Sequence, residues 1–373
     1  MSKEQMASEI PAAEKRGSAE QQAIKRPDGG KRVWGLGLLV LLLGASAVLS
    51  VGVGAVAITP AELWAIVARK LGWVSQVPFR DEQEVIFWFI RLPRICLGML
   101  VGAGLAVAGA LLQGLFRNPL ADPMLIGISS GAMLAAVLTI VFNISLGVLG
   151  GYLASYTLAL AAFAGSCITT IIVYRISKAD GEFKISTMLL VGIAINAFVM
   201  AMTGLITSLA DDQQLRDLTF WNLGSLGGAT WINVVTLLPF VLATVLYATR
   251  LSKSLNLLAL GENQALYLGV NISRLKRSCI ILATLAVGAC VAMAGNIGFV
   301  ALIIPHIIRK AFGPDHRIVL PGAAIGGATI LTLADAIART LVAPSELPLG
   351  VITALMGAPV FIYILLSEHK RKI

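Results

Sequence analysis

Four short polar stretches interrupt an otherwise strongly apolar chain, and they hold the side chains able to do chemistry. In Arg91-Leu92-Pro93-Arg94 two guanidiniums flank a proline, and Arg339 precedes a second proline-punctuated stretch, Pro344-Ser345-Glu346-Leu347-Pro348. A guanidinium is a planar fork of donors, so these arginines suit either lipid headgroups or an acidic protein partner. Asn118-Pro119-Leu120-Ala121-Asp122-Pro123 carries two prolines, and each pushes the residue before it out of helical geometry, which predicts a tight non-helical turn. That turn runs into Gly127-Ile128-Ser129-Ser130-Gly131-Ala132, where small residues let backbones approach closely. The fourth stretch, Leu258 to Gly269, includes Leu260, Gly261, Glu262, Asn263, Gln264, Leu268 and Gly269. It is amphipathic and too polar to span a bilayer, and it reads as two short surface helices. Such helices serve either as an ordinary surface element or as a dock for a soluble protein.

Other chemistry is missing from the sequence. There is no Gly-x4-Gly-Lys-Ser/Thr phosphate loop, no His-Glu-x-x-His, no Gly-x-Ser-x-Gly and no clustered carboxylate pair. Gly102-Ala103-Gly104 lies inside an apolar run with no strand before it, so a dinucleotide site is excluded. His306, His316 and His369 are isolated, and His306 beside Pro305 reads as structural. Cys96, Cys167, Cys279 and Cys290 are widely spaced in apolar runs and read as small buried hydrophobes, with no metal-site spacing. A chain of this kind has no engine of its own. Uphill transport would need energy from another chain.

The elements that must position these stretches follow from composition. The chain has 373 residues, 57% hydrophobic and 13% charged, where a soluble domain is about a quarter charged. This predicts an all-α polytopic membrane protein. The net charge of +9 falls in short clusters between apolar runs, which excludes a nucleic-acid binder. Ten apolar segments can be drawn, at about 34–58, 93–113, 124–141, 149–173, 187–209, 232–249, 277–297, 298–312, 318–336 and 349–366. Residues 1–33 read as a disordered cytoplasmic tail, 34–366 as one ten-helix transmembrane domain, 250–276 as a cytoplasmic segment within it, and 367–373 as a second cytoplasmic tail. The uncharged run Val33 to Thr59 is too long for a signal-peptide core and reads as a first span.

With both termini inside, 22 of the 29 Lys and Arg fall on the inner side, so the few outer arginines, Arg91, Arg94 and Arg339 among them, stand against the trend. The spans hold almost no ionisable groups apart from Asp335 near an outer end, which argues against ion-coupled carriage. Gly98, Gly102, Ala106 and Ala110 recur every four residues and predict a packing ridge.

Several motifs together resemble the FecCD family of ABC-importer permeases, which carry iron–siderophores, haem and cobalamin. They are RLPR, GLFRNPLADP, GISSGA, FWNLGSLGGATW, LGENQALYLG, AGNIGFVALIIPHIIR, DHR, LADAIARTL and ELPLGVITALMGAPVFIYILL, in order from Arg91 towards the C-terminus. The resemblance implies a type II ABC-importer permease in the bacterial inner membrane, with no cofactor or metal of its own. It further implies a homodimer with the path along the dimer axis and two cytoplasmic ATPase subunits that bind ATP and Mg. A periplasmic substrate-binding protein would dock on Arg91, Arg94 and Arg339. Asn118 and Leu120 would form a cytoplasmic gate, with a second constriction at Ser186 and Thr187. The LGENQALYLG segment would couple to the ATPase, with Glu262 as its polar contact. Alternating access would then move the cargo through a weakly polar cavity. The wording of GLFRNPLADP and GISSGA is nearest to haem permeases, which places haem ahead of ferric siderophores and cobalamin. The rivals of a different class are an ion-coupled secondary transporter and a membrane anchor or receptor.

Overall fold

The structure is a computed structural model that describes residues 29–369, apart from 55, 74–76, 148–154, 180–181 and 343–344. Most of the N-terminal tail, the end of the C-terminal tail, Pro344 and the start of the fourth expected span therefore lie outside the described residues. The helices are α1 (Gly29–Gly52), α2 (Pro60–Lys70), α3 (Asp81–Phe116), α4 (Ile128–Val141), α5 (Thr157–Ile176), α6 (Ile185–Thr207) and α7 (Asp212–Leu223). They continue as α8 (Trp231–Leu258), α9 (Glu262–Tyr267), α10 (Ile272–Ala294), α11 (Val300–Phe312), α12 (His316–Thr340) and α13 (Leu349–His369). The all-α expectation holds. One two-residue antiparallel pair, β1 (Lys178–Ala179) with β2 (Glu182–Phe183), joins α5 to α6.

Each of the ten expected segments contains a helix, and among the described residues seven helices are long and apolar enough to cross a membrane. The differences have physical causes. α1 stops at Gly52 rather than near residue 58, and its chain end is capped by arginines described below. RLPR does not open a helix: it lies within the continuous rod of α3. Pro93 offers no N–H and its ring crowds the preceding turn. The rod absorbs this with a π-helical stretch, Ile86–Arg91, in which the Leu92 N–H reaches back to the Phe87 carbonyl.

The segment at 298–312 is a helix of 13 residues, α11. At about 1.5 Å per residue it covers roughly 20 Å, short of a bilayer core of about 30 Å. The backbone before it is irregular, with positive φ at Gly295 and Phe299. It is tolerated because protein covers it: Ser225 N–H bonds the Ala294 carbonyl and Leu349 N–H bonds the Gly224 carbonyl.

Two helices missed by hydropathy carry readable start signals. Thr59 and Glu62 form a capping box with Pro60 at the first turn of α2, and Asp211 with Gln214 forms another at α7. The charged and polar residues of these helices hid them from a search for apolar runs.

α3 is the central element, buried over most of its length against α8, α10, α11 and α12. The predicted small-residue ridge meets α12 at Gly102, where a Cβ would overlap the Gly327 carbonyl; beside the ridge, a Cβ at Gly109 would overlap the Ala301 carbonyl of α11. Such contact between backbones lets dispersion hold the bundle together where lipid gives no hydrophobic drive.

Candidate functional site

The polar groups gather at the two ends of the bundle. At one end α3, α12 and the segment before α13 converge on a compact ion-pair cluster. Arg94 Nε donates to Asp335 Oδ1 and Oδ2 at 3.0 and 3.1 Å, and its Nη2 donates to Oδ1 at 2.8 Å. Its Nη1 and Nη2 donate to the two oxygens of Glu346 at 2.8 and 2.9 Å. Asp335 also accepts from Arg339 Nε at 3.1 Å, one helical turn along. One guanidinium thus holds two carboxylates, and one carboxylate holds two guanidiniums.

The remaining donors cap α1. Arg339 Nη2 bonds the Ser50 carbonyl and hydroxyl at 3.0 and 2.8 Å, and its Nη1 bonds the Val53 carbonyl at 3.2 Å. Arg91 donates to the carbonyls of Val51 and Val56. The last carbonyls of a helix lack internal partners, and here two arginines supply them. Gly54, at φ +154°, leaves the room: a Cβ there would sit 2.7 Å from Arg91 Nη2.

The side chains of Arg94, Asp335 and Arg339 are 9%, 4% and 8% exposed, whereas Glu346 is 44% exposed. The three arginines expected to form an outward basic patch are therefore brought together, but they point into the protein. Two carboxylates against three guanidiniums leave the cluster with one net positive charge. Sequence reading noted Asp335 and left it without a partner. Its spacing of four from Arg339 was a usable signal, whereas Glu346 lies 252 residues from Arg94 and gave none.

At the opposite end of α3 the predicted tight turn is present. Arg117 adopts a left-handed cap at φ 51° and ends the helix. Leu120 N–H bonds Asn118 Oδ1 at 2.9 Å, and Ala121 N–H bonds the Asn118 carbonyl at 3.1 Å, so Asn118 organises the turn. Asp122 accepts from Met124 N–H at 2.7 Å and starts a short 3-10 turn, Pro123–Ile126. Asn196 of α6 clamps this turn, donating to the Met124 carbonyl at 2.9 Å and accepting from Ser130 Oγ at 2.7 Å. A Cβ at Gly192 would overlap the Leu125 carbonyl. Asn118 is exposed and Leu120 half-buried.

Ser186 is exposed and Thr187 half-buried on the first turn of α6, and among the described residues no hydrogen bond joins them to the turn. The link runs through Gly192 and Asn196, which sequence reading missed because their partners lie far off in the chain.

The segment after α8 is one short helix, α9, rather than two. α8 itself runs on to Leu258, and Gly261 and Gly269, both at positive φ, bracket α9. Glu262 is paired with Lys276 at 2.8 Å, and Asn263 and Gln264 are exposed. Leu260, Leu266, Tyr267 and Leu268 stand exposed at this tip, Tyr267 at 89%. Leu266 and Tyr267, as exposed as Leu260 and Leu268, were absent from the expected contact set. Nearby, Asn256 of α8 bonds Asp315 at 2.7 Å and the His316 N–H at 2.9 Å, tying the start of α12 to the end of α8.

Long apolar helices around a buried central rod, with polar clusters at both ends, mark a polytopic membrane protein. Residues 40–367 match the FecCD transport family, and the chain belongs to that family. The match begins well before Arg91, where the recognisable motifs start. The chain is 43% identical over 337 residues to the hemin transport system permease protein HmuU of Yersinia pestis, covering 90% of this chain and 96% of that one. It is 38% identical over 343 residues to the cobalamin import system permease protein BtuC of Halobacterium salinarum, covering 90% of each. Among solved structures it resembles a metal-chelate type ABC transporter in an inward-facing conformation, with TM-score 0.76, 33% identity, and coverage of 90% of this chain and 99% of that one. The family and fold expected from the motifs are thereby borne out. The chain is a multi-span ABC-transporter permease.

Proposed function

We propose that this permease carries haem across the bacterial inner membrane, as one of two identical subunits served by two cytoplasmic ATPases and a periplasmic binding protein. The observation that carries the choice of cargo is the 43% identity to a hemin permease over nearly its whole length. Cobalamin is the second reading, supported by the 38% identity to a cobalamin permease. The 22:7 division of basic residues favours both termini, 1–33 and 367–373, in the cytoplasm. That orientation makes the Asn118–Leu120 turn a cytoplasmic gate and α9 the element that meets the ATPase. ATP and Mg belong to that partner chain, and this chain supplies the path.

The reading is tested by reconstituting the full chain in liposomes with its ATPase and binding protein and measuring uptake of haem, a ferric siderophore and cobalamin. ATP-dependent haem uptake is expected to dominate, and a Tyr267→Ala variant should lose it by roughly the 30-fold that a 2 kcal/mol aromatic contact represents. Uptake driven by an ion gradient with no ATPase present would overturn the importer reading.

The buried cluster alters what docking requires. A carboxylate of the binding protein would reach Arg94 from the half-exposed side that Glu346 covers. Glu346→Gln raises the net charge of the cluster from one to two, so it should tighten binding-protein association at low salt, and the gain should fade as salt screens it. Association unchanged at every ionic strength would remove the arginine cluster from the docking surface.

A further inference from the structure

α5 and α10 cross at Ser166 and Gly288. Ser166 is fully buried, and a Cβ at Gly288 would overlap its hydroxyl. From that pinch the helices splay in both directions and open two apolar clefts. The cleft towards the Arg94 end, about 270 Å³, is walled by uncharged side chains such as Tyr156, Phe163, Phe240 and Met293. The cleft towards the opposite end, about 300 Å³, is walled by one face of each helix and has Arg277 in its lining. Residues 167, 170, 171 and 174 of α5 and 277, 280, 281 and 284 of α10 follow the three–four spacing of a single helical face. Ile171 and Ile281 are 52% and 49% exposed, so the walls are open to their surroundings.

The rim of this second cleft is built rather than loose. Tyr174 stacks on Phe183 with ring centroids 5.2 Å apart. Lys276 lies over the Phe183 ring and is already neutralised by Glu262 at 2.8 Å. Arg277, its neighbour, is exposed and among the described residues has no ion-pair partner. A guanidinium with no ion-pair partner among the described residues, at the rim of an apolar slot and near the ends of its two helices, matches a molecule with one anionic head and a hydrocarbon tail. The uncharged twin cleft towards the Arg94 end has no such match.

We infer that the cleft between α5 and α10 is a binding site for an anionic phospholipid, with its phosphate on Arg277 and an acyl chain between Ile171 and Ile281. A guanidinium grips phosphate through paired hydrogen bonds, and basic pockets between membrane helices select anionic headgroups. The acyl chain covers apolar surface that the protein does not cover itself. The occupant is a lipid rather than free phosphate, because the cation alone is shallow and the walls are hydrocarbon-like.

The test uses the full chain in detergent, with native mass spectrometry after addition of dioleoyl-phosphatidylglycerol or dioleoyl-phosphatidylcholine. The wild type should retain the glycerol lipid about fivefold better, the scale expected of one basic residue at an anionic surface. Arg277→Gln should erase that preference, while Lys253→Gln, an exposed cation outside the cleft, should keep it. Ile281→Trp, at a position with room for the larger ring, should lower retention of both lipids while the unfolding midpoint stays put. Equal retention of the two lipids by the wild type overturns the site, as does an unchanged preference in Arg277→Gln. Full competition by glycerol 3-phosphate would assign the cation to a soluble anion instead. A dimer mass lost in Ile281→Trp would assign the face to a second copy. Either result ends the lipid reading.

Discussion

Replacing Asp335 with alanine is expected to destabilise the purified chain by about 3–5 kcal/mol, the cost of stranding buried charges without their partner. Its carboxylate is shared by Arg94 and Arg339, whose side chains are 9% and 8% exposed, so water cannot replace it. Arg94 would keep Glu346, and Arg339 would keep Ser50 and Val53, but two cations would face each other across a void. The cap on α1 depends on the same arginine, so α1 should loosen with α12. Glu346→Gln is the contrast. Its side chain is 44% exposed, water can take its place, and the loss should stay within about 1 kcal/mol. Unfolding midpoints in one detergent measure both, and equal losses would show that Asp335 is not the keystone.

The Glu346 arm also has a pH signature. Hydrogen bonds from Arg94, opposed by partial burial, hold its carboxyl below the ordinary 4.5. A carboxylate with a lowered folded value contributes fully above the unfolded value, and that contribution disappears as pH falls through the folded one. The difference between wild type and Glu346→Gln should therefore persist at neutral pH and vanish in acid.

Gly102→Val is the second large effect. A Cβ there would overlap the Gly327 carbonyl and sit 3.0 Å from the Ala328 nitrogen. Both obstacles are backbone of α12, which cannot swing aside as a side-chain tip does. Separating the two helices would sacrifice contact along the most buried element of the fold, at a cost of about 3 kcal/mol or more. Little monodisperse protein should be recovered. Gly44→Ala is the control: no atom lies within 4 Å of its added Cβ, and alanine gains up to about 1 kcal/mol over glycine in a helix interior. Normal recovery of Gly102→Val would mean that the α3–α12 contact is looser than it stands.

Both substitutions bear on what could be read before the fold was known. The ridge Gly98, Gly102, Ala106 and Ala110 was legible because a four-residue repeat of small side chains is a local property of one helix. Its partner, Gly327, was not, since nothing in α3 specifies which neighbour it meets. The arginines were legible as unusual for their side of the membrane, and their orientation was not. A charge count sees a guanidinium but not whether a carboxylate 252 residues away is folded against it. The same limit hid Asn196, which holds the proline turn from another helix. It also hid Tyr267, whose exposure depends on α9 ending in the open.

The sequence by itself determined the membrane class, the order of the ten apolar segments, the polar stretches between them and the family. The first two follow from transfer of local segments between water and hydrocarbon, which each segment settles almost alone, whereas the family is carried by the wording of the polar motifs. Tertiary structure decided which charges neutralise each other, that RLPR lies inside a continuous rod, that α11 stops short of a full span, and where α5 and α10 part to leave a cleft. Each of these depends on two or three elements meeting at a given depth and angle. Packing sets that meeting, and no single segment encodes it.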